Sequence, residues 1–200
     1  DGMLEVLNTK IAAQNLTGIK TIKVDIDKGE TLTGKYDIVT SSMTMHHIKD
    51  IKLMFKNFSA TTYNGIPYTT DSLKGKTTFV NFWYEGCLPC LAEFDALNDL
   101  YDLYKNNPLF QFLSFTSESK ENALRVADKF KLKYPVICIE KDDIYNMIFN
   151  LGFPTSLIID KNEKIRFIVC GGFSDQENAK RRIDSIFINE LDNILNEQTQ

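Results

Sequence analysis

An apolar run, TTFVNFWY (residues 77–84), passes through Glu85 and Gly86 into Cys87-Leu88-Pro89-Cys90 and then into a helical pattern over about 88–105. A buried strand that runs straight into a helix leaves few folds open, because the strand must lie inside a sheet and the helix must pack back onto it. Cys87 then stands at the helix N-terminus, where unpaired N–H groups and the helix dipole stabilise a thiolate. That lowers the thiol pKa, and the thiolate is the species that attacks a disulfide. Three residues of separation in the first turn bring both sulfurs to one side, with Cα atoms roughly 5 to 6 Å apart, a span that a disulfide can bridge reversibly. Pro89 suits an early helical position, where its missing N–H costs nothing. Cys90, one turn in, is expected to be the more buried of the two.

The rest of the chain extends the same alternation. LFQFLSF (109–115) and YPVICI (134–139) read as strands, with helical patterns over roughly 119–132 and 142–150. TSLIID (155–160) and KIRFIVCGG (164–172) form a hairpin around Lys161-Asn162-Glu163. A last helix is expected from Ser174, where Ser174 and Glu177 have capping-box spacing, with Ile183, Phe187, Leu191 and Ile194 on one face. The order implies an α/β fold with a central mixed sheet covered by helices on both faces. Before residue 58 the pattern differs: a helical stripe over 3–15, strand-like runs at 21–27 and 36–42, and a helical candidate at 48–58.

Composition narrows the function classes. With 43% apolar residues in 200 the chain has material for a core, and a net charge of −4 disfavours a general nucleic-acid binder. No apolar run reaches the roughly 18 to 20 residues of a membrane span, and DGMLEVLNTK carries no export signal. Four cysteines are too few for a disulfide-stapled scaffold. Cys138 and Cys170, each in an apolar run, are read as buried core residues. Zinc would need a second ligand pair, which neither these two nor the adjacent His46 and His47 supply, so no metal is expected.

FSATTYNGIPYTTDSLKGKTTFVNFWYEGCLPC, the following LAEF and GFPTSLIIDKNEKI, in that order, make residues 58–197 resemble a TlpA/ResA-type thiol-disulfide oxidoreductase of thioredoxin-like fold. The resemblance implies Cys87 as exposed nucleophile, Cys90 as resolving thiol, and Pro154 as a cis-proline facing them. The backbone at Phe153 would pair with an extended substrate segment, so Trp83, Phe153, Pro154 and Thr155 are the expected substrate-binding residues. Glu93 matches an acidic position of that group and would manage the proton of Cys90. Glu85 departs from the small or hydroxyl residue common at its position, and its charge is expected to oppose thiolate formation at Cys87. Peroxidase relatives place a Pro and a Thr before their cysteine; Trp-Tyr-Glu-Gly stands here instead, with no Arg partner in view, which leaves a peroxiredoxin-like peroxide reductase as the alternative.

Residues 1–58 are similar to the middle of a class I S-adenosylmethionine-dependent methyltransferase, with Asp25 at the acidic position beside the adenine and Ser41 through His47 after the fourth strand. The glycine-rich loop and the ribose-binding acid of that family would lie upstream of residue 1. The expectation is therefore an incomplete, non-functional α/β segment (1–58) ahead of a redoxin domain (59–200), with no cofactor bound. A methyltransferase remnant and a non-catalytic binding module remain as rival readings. The partners implied are protein dithiols or disulfides and a redox partner protein. The family resemblance points to the cell envelope or periplasm, where its members are held by an anchor, with the cytoplasm as the alternative.

Overall fold

The computed structural model describes residues 2–17, 19, 21–22, 58–148 and 150–197. The strands expected at 21–27 and 36–42, the helix expected at 48–58, and Asp25 and Ser41 through His47 fall wholly or almost wholly outside the described residues. The chain divides into two compact units, Asp1–Val39 and Thr40–Gln200. The first contains α1 (Gly2–Ala13). It stops there because Asn15 takes a left-handed φ of 50° and Leu16 N–H reaches back to the Ile11 carbonyl at 3.1 Å, the six-to-one bond of a Schellman ending.

Among the described residues of the second unit the first element is a hairpin that the sequence pattern does not mark, β1 (Ser59–Thr61) with β2 (Pro67–Thr69), turned at Gly65 with φ of 88°. There follow β3 (Thr77–Trp83), α2 (Leu88–Tyr104), β4 (Phe110–Thr116), α3 (Lys120–Phe130), β5 (Val136–Cys138), α4 (Lys141–Met147), β6 (Thr155–Ile159) and β7 (Ile165–Cys170). The chain ends in α5 (Gln176–Arg182), a π-helical turn (Ile183–Ile188) and α6 (Asn189–Glu197). The sheet order is β5-β4-β3-β6-β7, with β3, β4 and β5 parallel and β6 and β7 antiparallel additions. This is the mixed sheet expected, and the fold is thioredoxin-like.

Central position explains the composition of β3, which is buried at every residue. Its side chains alternate between faces. Phe79 and Trp83 join the cluster built by α2, α3 and the C-terminal helices, Phe79 meeting Phe187 edge-on at 5.2 Å and Trp83 meeting Phe94 at 5.2 Å. On the other face Phe82 stacks on Phe115, which also meets Phe58. Ile183, Phe187, Leu191 and Ile194 are all fully buried, as the helical stripe predicts.

Two local readings need correction. The last helix is capped by Asp175, whose carboxylate accepts from Asn178 N–H at 2.9 Å, and not by Ser174; a carboxylate one residue further on does the same job at the positive end of the dipole. Cys138 and Cys170 are not core residues. They are the last residues of β5 and β7, the two outer strands of the five-stranded sheet, where the chain leaves the sheet; Cys138 is half-buried and Cys170 exposed. Burial pushes the Cys138 thiol above its ordinary pKa, which makes it a poorer nucleophile.

Candidate active site

β3 delivers the chain to the cysteine pair. After Trp83 it turns through Tyr84, Glu85 and Gly86, and Cys87 takes the N-cap position of α2 with extended backbone. Its Sγ accepts from Cys90 N–H at 3.2 Å, so one of the orphan donors of the first turn points at sulfur. Cys87 and Cys90 are joined in a disulfide with Cα atoms 5.2 Å apart. Cys87 keeps 4% of its surface and Cys90 1%. The relative order is the expected one, but Cys87 is not exposed in this oxidised state and belongs to the same buried cluster as Trp83 and Phe94.

Glu93 is 1% exposed and lies on the same helix, one turn beyond Cys90. Burial raises its carboxyl from 4.5 to about 7, against the opposing pull of the Arg182 guanidinium. Arg182 Nη2 donates to Glu93 Oε1 at 3.0 Å and also to the Gly171 carbonyl. The peptide bond between Phe153 and Pro154 is cis, and the Pro154 carbonyl accepts from Gly171 N–H at 2.8 Å. Gly172 is where these groups converge. A Cβ placed on it would lie 3.0 Å from both Glu93 Oε1 and Pro154 Cγ and 3.1 Å from Pro89 Cβ.

The structure thus brings Pro154, Glu93 and the helix start at Pro89 around one glycine, with Cys87 and Cys90 in the same turn. Phe153 is half-buried, edge-on to Tyr84 at 5.2 Å and to Tyr145 at 5.8 Å. Trp83 and Thr155 are different: both are fully buried, so neither side chain reaches a docking surface. Trp83 Nε1 donates to Ser114 Oγ at 2.6 Å, and the Thr155 hydroxyl donates to the Gly152 carbonyl, also at 2.6 Å, tying down the loop before Pro154. Both are supports. Glu85 has a partner of its own: its two carboxylate oxygens accept from Arg125 Nη2 at 2.7 and 2.6 Å, which sets a cation beside its charge.

Arg182, Gly172 and Arg125 were not legible as site residues, and neither were the exposed apolar groups near the pair, Leu88 at 67%, Phe173 at 45% and Tyr84 at 40%. Among the described residues no group of three or more His, Cys, Asp or Glu side chains is placed to hold a metal ion.

A reversible dithiol at a helix N-terminus, closed over a buried acid in a thioredoxin-like fold, defines a thiol-disulfide oxidoreductase. The sequence matches the AhpC/TSA family over residues 51–168, and the chain belongs to that family. The thiol-disulfide oxidoreductase ResA of Geobacillus kaustophilus is 29% identical over 152 residues, which cover 76% of this chain and 86% of that protein. The thioredoxin-like protein YneN of Bacillus subtilis is 32% identical over 128 residues, covering 62% of this chain and 74% of its own length. Among solved structures, a thiol:disulfide interchange protein from Chlorobium tepidum superposes with a TM-score of 0.53 at 25% identity, covering 64% of this chain and 91% of that one.

Proposed function

We propose that Cys87 is the attacking thiolate, Cys90 the resolving thiol and Glu93 the group that takes the Cys90 proton during disulfide exchange with protein substrates. In the reductive direction Cys87 S⁻ attacks a substrate disulfide, forming the Cys87–substrate bond and releasing one substrate thiolate. Cys90 then gives its proton to Glu93 and attacks Cys87 Sγ, releasing the second substrate thiolate and leaving the Cys87–Cys90 disulfide. Two electrons pass to the substrate. A carboxyl with pKa about 7 is able to accept and return that proton near neutrality. The observation that carries the reading is the disulfide at the head of α2 with Glu93 buried behind it.

Phe153 and Pro154 would offer backbone to an extended substrate segment beside Cys87, with Trp83 and Thr155 holding the platform from beneath. Residues 59–200 would suffice for exchange, and 1–58 would bind no S-adenosylmethionine. Calorimetric titration showing a stoichiometric site for that cofactor would overturn the second point. We assign the exchange to the cell envelope, with cysteine pairs such as those of apocytochrome c, in their disulfide form, as substrates and a separate protein as redox partner. Mixed disulfides recovered only from the cytosol would remove that assignment. Among the described residues no helix is long and apolar enough to cross a membrane.

The function is tested with dithiothreitol as donor and insulin as substrate. The protein should precipitate insulin B chain, and Cys87→Ser should abolish this. Precipitation by Cys87→Ser that outpaces dithiothreitol alone would sink the assignment of the nucleophile.

A further inference from the structure

Glu93 and Arg182 form an ion pair between α2 and the last residue of α5, with side-chain exposures of 1% and 15%. Glu93 is withdrawn from water, so the guanidinium is what opposes the effect of burial on its charge. The guanidinium has a second task. Through the same Nη2 it holds the Gly171 carbonyl, whose own residue donates its N–H to the Pro154 carbonyl. Acid, cation, glycine and proline form one continuous chain of contacts behind the cysteines. Arg182 Nε, buried, has no hydrogen-bond partner among the described residues, so the fork is oriented by Glu93 and Gly171, with the Phe173 ring 5.8 Å from its central carbon. Both hydrogen bonds of the guanidinium leave from Nη2, one to the carboxylate and one to the loop. Arg182 also stands at the junction where α5 passes into the π-helical turn, an irregularity of the kind often found where a helix must aim a functional side chain.

We propose that Arg182 is a positioning residue for disulfide exchange: it favours the charged form of Glu93 against the pull of burial and ties that carboxylate to the Gly171–Pro154 platform. The proposal rests on the reading of Glu93 as the acceptor of the Cys90 proton. The other titratable groups facing Glu93 do not replace Arg182. The Tyr134 phenol, from the segment entering β5, is fully buried and held well above its ordinary pKa, so it stays neutral. Asp95 and Cys90 lie on α2 itself and are acids. With the guanidinium gone, burial would act on the carboxyl unopposed and hold its proton to still higher pH. It could no longer accept the proton of Cys90 at neutral pH.

Two substitutions separate charge from tether. Arg182→Lys keeps a cation, whereas Arg182→Gln keeps a donor for the Gly171 carbonyl but carries no charge. The rate of mixed-disulfide resolution is measured in single turnovers of the reduced full-length protein with a disulfide-bridged model peptide, between about pH 5 and pH 9. Melting temperatures of the oxidised proteins are taken alongside. Arg182→Gln should move the inflection of the profile upward by at least about one pH unit and slow resolution about tenfold at pH 7, leaving formation of the mixed disulfide within about twofold. Arg182→Lys should keep the inflection near the wild-type position. Equal effects of the two variants, or a lowered melting temperature with an unmoved inflection, would overturn the proposal. Glu93→Gln is the control: it should erase the inflection. If Glu93→Gln leaves the profile intact, the reading of Glu93 itself falls and this inference with it; if it erases the inflection while Arg182→Gln does not move it, only the role of Arg182 is refuted.

Discussion

Replacing Glu93 by Gln should change how stability depends on pH, in a direction that burial dictates. Glu93 is fully enclosed and its carboxyl is raised from 4.5 to about 7 in the folded protein. Below pH 4.5 both folded and unfolded chains carry the proton. Between there and about 7 the folded protein keeps a proton that the unfolded chain has already released, so stability falls as pH rises through this window. At about 1.4 kcal/mol per pH unit, the whole effect amounts to about 3 kcal/mol, lost by the time the pH has passed 7. Gln cannot titrate and should lack this term. Carboxylates such as Asp175 and Glu197, held below their ordinary range by hydrogen bonds and by Arg166, have the opposite dependence, but both proteins share it. The assay is urea unfolding of oxidised wild type and Glu93→Gln at intervals from pH 4 to pH 8, and the quantity of interest is the difference between the two curves. That difference should move in favour of the variant by about 3 kcal/mol across the window. Parallel curves would show that Glu93 does not titrate abnormally and would refute the argument from burial.

Gly172→Ala should cost about 1 to 3 kcal/mol in stability and lower the insulin reduction rate more than that loss implies, because the new methyl would press on Glu93 Oε1 and Pro154 Cγ, each 3.0 Å away; an unchanged rate would show that the cluster around this glycine is slack. Arg125→Ala should leave the melting temperature unchanged, since its pair with Glu85 is exposed, yet slow alkylation of Cys87 by iodoacetamide about two- to threefold in low salt. An unaltered alkylation rate would mean that Glu85 never acted on the thiol.

Where the sequence was legible, the signals were local. The run TTFVNFWY needed no tertiary information, since a central strand covered on both faces must be apolar throughout, and β3 is buried at every position. The turn around Lys161-Asn162-Glu163 was equally readable; the Asp160 carboxylate organises it by accepting from Asn162 and Lys164 N–H groups. The errors arose where a residue's fate depends on which neighbour the topology supplies. Cys138 and Cys170 sit in apolar strings like those of buried strands, and periodicity does not distinguish an edge strand from a central one. Trp83 and Thr155 adjoin the active-site motifs in sequence, but alternation along a strand points their side chains into the core. The pair of Glu93 and Arg182 spans 89 residues of chain, and no local pattern links them. Only folding α5 back against α2 makes that carboxylate a paired one.

The central claim is that one cysteine attacks and the other releases, and trapping tests it most directly. Reduced Cys90→Ser, incubated with insulin and analysed without reductant, should accumulate a covalent adduct bonded through Cys87 Sγ, while Cys87→Ser should accumulate none. Adducts through Cys90, Cys138 or Cys170, or equal trapping by the two variants, would contradict the assignment.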